Sequence, residues 1–443
     1  MYLLYSFLLA IGFLIMLPAF LLRREKYAAG FNQRLGNYPD FKHDGRKVIW
    51  LHCVSVGETN AARPLVDQLL EKFPDHRLVI STTTKTGQEL ARDIFKDKAD
   101  AVIYFPFDFK FSVRRALTNF KPSVVLLMET EIWPRFIREA KASGAKIAIV
   151  NGRLSERSVS RYKRVRPFIS RVLQDIDLAL MQGSNDTNRL ISLGMPAAQT
   201  IVTGNLKFDV DTTDADDATT ENLRERFGVN GERPLIVAAS THNPEERWML
   251  EAFCSVASGA KPPPRLLIAP RHPERFDSVA NLIDEFRTDP ANEWRQYAVA
   301  RRSKAENQTD RTADIILLDS IGELHSAYPL ADIVFVGGSL IPHGGQSILE
   351  PAASGRAIVT GHFTHNFADA VNTFHANQAL IQLPELAPEK IVDELFLHLS
   401  DLLEDRGRRT DLGRNAAAVM TSNRGATERT IRELENRLEA QNS

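Results

Sequence analysis

Residues 48–72 read VIWLHCVSVGETNAARPLVDQLLEK. An unbroken apolar run over 48–54, rich in β-branched and aromatic side chains, passes through Ser55-Val56-Gly57-Glu58 into a segment where Leu65, Val66, Leu69 and Leu70 share one helical face. A strand apolar on both sides is buried on both faces, and a strand feeding an amphipathic helix is half of a βαβ unit. This stretch therefore predicts a parallel sheet covered by helices. The pattern recurs in RLVIST (77–82), AVIYF (101–105), SVVLLM (123–128), AKIAIV (145–150) and LALMQ (178–182). A second series runs through PLIVAAS (234–240), RLLIAP (265–270), DIILLD (314–319), DIVFVGG (332–338) and AIVTG (357–361). The acidic, Thr- and Asp-rich residues from Asp209 to Gly231 lie between them and read as a linker.

The expectation is an α/β chain with two doubly wound, Rossmann-like domains facing a cleft. Residues 27–208 form the first, 209–232 the linker and 233–443 the second, whose C-terminal part (389–440) is helical and ends in a charged, solvated helix. Residues 301–312 read as an exposed loop. At about 150 residues per domain, 443 residues fit two to three domains. A formal net charge of -1 excludes a globally basic nucleic-acid binder, so no nucleic-acid partner is expected. The two cysteines, Cys53 and Cys254, are too far apart for a CxxC motif, which excludes a disulfide scaffold or a cysteine zinc site.

The first 26 residues stand apart. Met1 to Leu22 carries no charge and is followed at once by Arg23, Arg24, Glu25 and Lys26. About 20 apolar residues cover a hydrocarbon core, and basic residues on the C-terminal side place the following domains in the cytoplasm. A secretory signal would carry its positive charge first and end in a small-residue cleavage site. Pro18 kinks such a helix, so a span and a shallow insertion both fit. A membrane anchor over 1–26, inserted in the inner membrane, is expected.

Ligands of open α/β sheets bind beyond the C-terminal strand ends. Glu58 sits there after the first strand, in the first turn of a helix, where the dipole favours the ionised form that a general base needs. A plain helix-capping role explains it equally well. The fourth strand ends in METEIWP (128–134), placing Glu129 and Glu131 at the same edge. Asn151-Gly152-Arg153 opens a basic stretch containing Arg161 and Arg164, which suits either a solvated helix face or anionic headgroups. Lys207, in TGNLKFD (203–209), is placed to counter negative charge. Asp209-Val210-Asp211 spells a metal-binding DxD, discounted because short acidic matches are common in linkers. In the second series Pro270-Arg271-His272, Ile321-Gly322-Glu323 and the Gly-rich segment from Gly337 to Pro351 follow strands. Loop amides and a helix dipole there make an anion site, with Glu350 available to ribose hydroxyls. Neither a Walker A sequence nor a GxGxxG follows the first strand of either domain.

In order and spacing, SVGE (55–58), METEIWP (128–134), NGRLS (151–155), GNLKFD (204–209), APRHPER (269–275), GEL (322–324) and GGSLIPHGGQSILEPAASG (337–355) resemble the 3-deoxy-D-manno-octulosonic acid (Kdo) transferases. The resemblance implies a GT-B fold, a CMP-Kdo donor, a lipid A precursor as acceptor, and work at the cytoplasmic face of the inner membrane in lipopolysaccharide synthesis. It implies Glu58 as catalytic base and Glu129 and Lys207 as transition-state stabilisers. It also implies a CMP site of Pro270, Arg271, Ile321, Gly322, Glu323, Ser347, Ile348, Leu349 and Glu350. Ser347 stands where the family usually has Asn, so a hydroxyl takes the place of that side-chain contact to the nucleotide. On the acceptor side Glu131, Arg153, Arg161 and Arg164 are expected. CMP leaves with less charge than a nucleoside diphosphate, so neither a metal nor another cofactor is expected. The rival readings are a membrane-associated transferase using a UDP-sugar and a nucleotide-binding adaptor without activity, which would be expected to have lost the carboxylate that Glu58 supplies.

Overall fold

The computed structural model describes residues 1–22, 29–209, 216–288 and 297–439. The chain divides into two compact units, Met1–Val210 with Asn423–Ser443, and Asp211–Ser422.

The first unit holds a parallel sheet of β1 (Lys47–His52), β2 (His76–Thr82), β3 (Ala101–Tyr104), β4 (Val124–Met128), β5 (Lys146–Gly152), β6 (Leu178–Met181) and β7 (Thr200–Val202), in the order β3-β2-β1-β4-β5-β6-β7. The chain winds outward in one direction from β1 and in the other from β4. Those two strands pair directly, with Ile49 opposite Val124 and His52 opposite Leu127, so the topological switch point lies between them. Both sheet faces are covered. Trp50, Val125, Leu127 and Phe136 pack on one, and Ile49, Leu51, Leu126 and Leu65 on the other, which is why β1 reads as a continuous apolar run.

The second unit repeats the plan with β8 (Leu235–Thr241), β9 (Arg265–Pro270), β10 (Val299–Arg301), β11 (Ile315–Leu317), β12 (Ile333–Val336), β13 (Ala357–Thr360) and β14 (Ile381–Gln382), in the order β10-β11-β9-β8-β12-β13-β14. Its switch point falls between β8 and β12, which pair from Ile333 opposite Ile236 to Val336 opposite Ala239.

The helices that position the sites are α1 (Tyr2–Leu22), α2 (Val56–Ala61), α3 (Pro134–Ala142), α4 (Glu156–Lys163), α5 (Arg166–Leu173), α6 (Asp217–Phe227), α7 (Glu245–Gly259), α8 (Leu349–Ala353), α9 (Arg406–Asn423) and α10 (Ala426–Leu434). The side chains of α1 are described as far as Ile15. Among the described residues no helix is long and apolar enough to cross a membrane.

Three features depart from the sequence reading. The charged C-terminal helix belongs to the first unit, not to a domain of residues 233–443, and it is not solvated on all sides. Ala426, Ile431 and Leu434 pack with Leu65, Val66 and Leu206, while Thr427 and Thr430 share the buried face and hide its apolar character from the pattern. The second half of the expected linker is helix α6, capped by the Asp216 side chain on the Ala218 N–H. Residues 301–312 are not simply an exposed loop. Arg226 of α6 reaches into this segment, pairs with Asp310 at 3.1 Å with both side chains buried, and donates to the carbonyls of Arg301, Arg302 and Lys304.

Candidate active site

Glu58 lies in the first turn of α2, immediately beyond β1. Ser55 caps the helix by accepting the Glu58 N–H at 3.4 Å and donates its hydroxyl to Oε1 at 3.0 Å, while Oε2 accepts the Val54 N–H at 2.8 Å. The side chain is only 7% exposed. Burial raises its pKa to about 8, Glu129 and Glu131 push the same way, and the Val54 and Ser55 hydrogen bonds oppose them only in part. The helix terminus therefore does not keep this carboxylate ionised, as the sequence had suggested, because desolvation and two neighbouring acids outweigh it.

Glu129 follows β4 on the other side of the same switch point. Its φ is 52°, a left-handed backbone rare outside glycine and costing on the order of 1 kcal/mol or more. In this conformation its N–H donates to the Val150 carbonyl at 2.9 Å, and its Oε1 and Oε2 lie 3.3 Å from Lys207 Nζ and 3.8 Å from Arg153 Nε. Lys207 rides on a single 3-10 turn, Leu206–Asp209, whose Leu206 N–H donates to the buried Asn151 Oδ1 at 3.0 Å. Asn151 is itself left-handed, with φ 54°. Burial and the charge of Glu129 raise the pKa of Glu131, and Glu131 and Arg161 both act on the Tyr162 phenol. Arg161 is exposed on α4, with Arg164 exposed at its C-terminal end. The first unit thus gathers Glu58, Glu129, Glu131, Arg153 and Lys207 at one sheet edge. Asn151 opens the NGRLS segment but had no expected role of its own.

In the second unit the expected donor residues also stand at strand ends. Arg271 follows β9, donates its N–H to the Thr241 carbonyl at 3.0 Å and its Nε to Gln346 Oε1 at 3.2 Å. Beyond β11, Gly322 has φ 87° with open space where a Cβ would stand, and Ile321 is 79% exposed, a large apolar side chain turned to solvent. Glu323 is held by Arg302 at 2.6 and 2.8 Å, which keeps its pKa low. Ser347 Oγ accepts the Leu349 N–H at 3.4 Å, so the hydroxyl is engaged at the start of α8, Ile348 is buried, and Glu350 Oε2 lies 3.6 Å from His325 Nε2. Helix α8 has only five residues, so this turn offers backbone N–H groups rather than a long helix dipole.

The Gly-rich loop is held from beneath by Glu245 at the start of α7. This fully buried carboxylate, missed in the sequence, accepts the N–H groups of His242, Gly338, Ser339 and Leu340 at 2.7–3.0 Å. Asp209, the first acid of the DxD, accepts the N–H groups of Gly425 and Thr427 at the N-terminus of α10, and Asp211 lies outside the described residues. Among the described residues no group of three or more His, Cys, Asp or Glu side chains is arranged to hold a metal ion.

A family model described as 3-deoxy-D-manno-octulosonic-acid transferase matches residues 29–210. A 3-deoxy-D-manno-octulosonic acid transferase of Haemophilus influenzae is 33% identical, across 92% of this chain and 91% of its own length. The chain belongs to the Kdo transferase family. Another member, from Bordetella pertussis, is 33% identical over 87% of this chain and 86% of its own. Among solved structures, a UDP-N-acetylglucosamine 2-epimerase covers 90% of this chain and 97% of its own with TM-score 0.56 and 14% identity. A glycosyltransferase from Rickettsia africae covers 90% and 100% with TM-score 0.54 and 14% identity. At that identity these two show the α/β fold alone. Family membership makes the protein a glycosyltransferase, which sets aside the adaptor reading.

Proposed function

We propose that this protein transfers Kdo from CMP-Kdo to a hydroxyl of a lipid A precursor in lipopolysaccharide synthesis, with Glu58 as general base. The observation that carries the reading is the buried Glu58 carboxylate at the switch point of the first sheet, with a pKa of about 8 and the Glu129–Lys207 pair across from it. A base of this strength takes a hydroxyl proton more readily than an ordinary carboxylate. As the acceptor oxygen attacks the anomeric carbon of Kdo from the face opposite CMP, its proton passes to Glu58, the bond from that carbon to the phosphate oxygen breaks, and CMP leaves with inversion. Lys207, oriented by Glu129, supplies positive charge beside the base in the first unit, and in the second Arg271 with the amides of the Gly-rich loop offsets the charge on the leaving phosphate. Ile321, apolar and exposed beside the open Gly322 turn, suits stacking on the cytosine ring.

The membrane reading gains support from how α1 lies. One face docks on the first unit: Tyr2 and Tyr5 donate to Asp175 and Asp108 at 3.3 and 2.7 Å, Arg135 donates to Ser6 at 2.7 Å, and the Phe13 ring meets Phe107 edge-on at 5.3 Å. The other face exposes Leu3, Leu4, Phe7, Leu8, Ile11, Leu14 and Ile15. In this reading the ridge enters the lipid from the side at the cytoplasmic face of the inner membrane, with Arg161 and Arg164 meeting anionic headgroups.

The test is incubation of the purified enzyme with CMP-Kdo and lipid A precursor, with the products resolved by mass. Mass additions of Kdo that Glu58→Gln abolishes, while CMP binding persists, are expected. Transfer from a UDP-sugar instead, or a Glu58→Gln enzyme that keeps most of its turnover, would overturn the reading.

A further inference from the structure

Three imidazoles meet at the switch point of the second sheet. His242 follows β8, His272 follows β9 and His343 lies in the loop after β12. The ring centroid of His242 lies 4.3 Å from that of His343 and 5.4 Å from that of His272. The backbone is arranged to bring His242 there. Pairing of β8 with β9 shifts register between Ala239 and Thr241, and the intervening Ser240 is left-handed with φ 52°, which re-aims the chain as a bulge does. His242 is 7% exposed. Its Nδ1 pairs with the Ser240 carbonyl at 3.2 Å, while its Nε2 is buried without a hydrogen-bond partner among the described residues.

Such a cluster is costly without a ligand. A buried ring nitrogen lacking a partner loses its hydration uncompensated. Burial, with His343 and His272 adding to it, lowers the His242 pKa to about 4. The carboxylates nearby are committed elsewhere. Glu245 is satisfied by four backbone N–H groups, Glu246 is paired with Arg275 at 2.5 and 3.1 Å, and Glu274 reaches His272 only at 3.9 Å. The remaining charged neighbour in sequence is Arg271, whose Nε is on Gln346. The proposed transfer step uses none of these three rings, yet ligands of doubly wound sheets bind at this position.

We propose that His242, His272 and His343 form the subsite for the carboxylate that the donor sugar carries on its anomeric carbon. The inference rests on the CMP-Kdo reading. In a 2-keto sugar acid one carbon bears both the phosphate ester and the carboxylate, so two anions arrive within a few ångströms and each needs its own partners. Arg271 and the Gly-rich loop serve the phosphate, and the adjacent histidines receive the carboxylate. The arriving anion favours the charged form of His242, which takes up a proton from solvent, and its orphaned Nε2 gains a partner. A donor without the carboxylate gains none of this, so the trio selects for sugar acids.

The test uses the full-length enzyme and His343→Gln, His272→Gln and His242→Asn, the first two at partly exposed positions where folding is not at stake. Expected are a tenfold or greater rise in the KM for CMP-Kdo, CMP binding by calorimetry within twofold of wild type, and proton uptake on binding CMP-Kdo but not CMP. Variants that weaken CMP and CMP-Kdo alike, or leave the KM for CMP-Kdo unchanged, overturn the carboxylate subsite. A wild-type enzyme that binds no CMP overturns the donor reading itself, a separate outcome.

Discussion

Lys207 Nζ lies 3.3 Å from Glu129 Oε1, so the cation beside the proposed base is oriented by an acid that also disfavours ionisation of that base. Glu129 thus ties two functions together, and a change there should separate them. With Glu58 near pKa 8, kcat/KM for the acceptor should rise with pH until about pH 8 and then level, since the base works deprotonated. Glu129→Gln removes one of the two charges pushing that pKa up. Its rising limb should move to lower pH by up to about 1 unit, with a lower plateau because Lys207 has lost its partner. A pH–rate profile of both enzymes decides the matter, and an unmoved limb would detach Glu129 from the base.

Glu58→Gln should be more stable than wild type at alkaline pH. The folded pKa of about 8 lies above the ordinary 4.5, so the native state holds this proton longer than the unfolded chain. That contribution is fully present below pH 4.5, declines as pH rises toward 8 and is lost above it. Gln does not titrate. The variant should gain at least about 1 kcal/mol, or 2–4 °C in Tm, at pH 8.5, and little at pH 4.5. Thermal melts at both pH values test this, and a pH-independent difference would contradict the pKa.

How far the sequence could be read follows from where its signals are local. The apolar runs of β1, β4, β8 and β9 are buried on both faces, so period and length alone identify them, and Glu58, Glu129 and Arg271 then fall at strand ends. The short β7, β10 and β14 were missed because two or three residues give no pattern. Helix α10 was assigned to the wrong unit because its docking is a long-range match: Arg429 reaches the Thr203 carbonyl and Asp209 caps the helix, contacts across more than 200 residues of chain. The raised pKa of Glu58 was equally out of reach, since the helix position is visible in sequence and the desolvation that outweighs it is not. The histidine trio comes from three separate turns and shares no motif.

Asn151→Ala should disturb catalysis more than stability. The Asn151 side chain holds the Leu206 N–H at 3.0 Å, and its backbone is left-handed, where Ala is strained. Losing the bond and adding strain should together lower stability by about 1–3 kcal/mol. The freed turn carries Lys207, so kcat should fall at least tenfold while CMP binding persists. Asn151→Gly relieves the strain without restoring the bond. It should recover part of the stability and none of the rate; recovery of both would show that the tether does not position Lys207.

Reversing charge at Arg161 and Arg164 should raise the apparent acceptor KM and weaken binding to anionic vesicles. Both residues are exposed at α4, so folding should be untouched. The vesicle effect should shrink as salt rises from 0.05 to 0.5 M, because exposed charges are screened within about 10 Å at 0.1 M. If neither the acceptor constant nor vesicle binding changed, this face would be an ordinary solvated surface.

Tyr5→Phe should slow the enzyme without releasing it from lipid. The Tyr5 hydroxyl donates to Asp108 Oδ2 at 2.7 Å, and the same buried carboxylate accepts the Arg135 and Phe136 N–H groups at 2.9 and 2.7 Å, fixing the start of α3 directly after the acidic turn. Burial raises the Asp108 pKa to about 6 while these donors hold it down. Removing one donor costs most when the carboxylate is ionised. The variant should therefore lose about 1–3 kcal/mol at pH 7.5 and distinctly less at pH 5. The exposed ridge of Leu3, Phe7 and Ile11 lies on the opposite face of α1 and is unchanged, so vesicle flotation should match wild type while kcat falls. An equal stability loss at both pH values would rule out the Asp108 link, and loss of flotation would mean that this contact sets how α1 meets lipid.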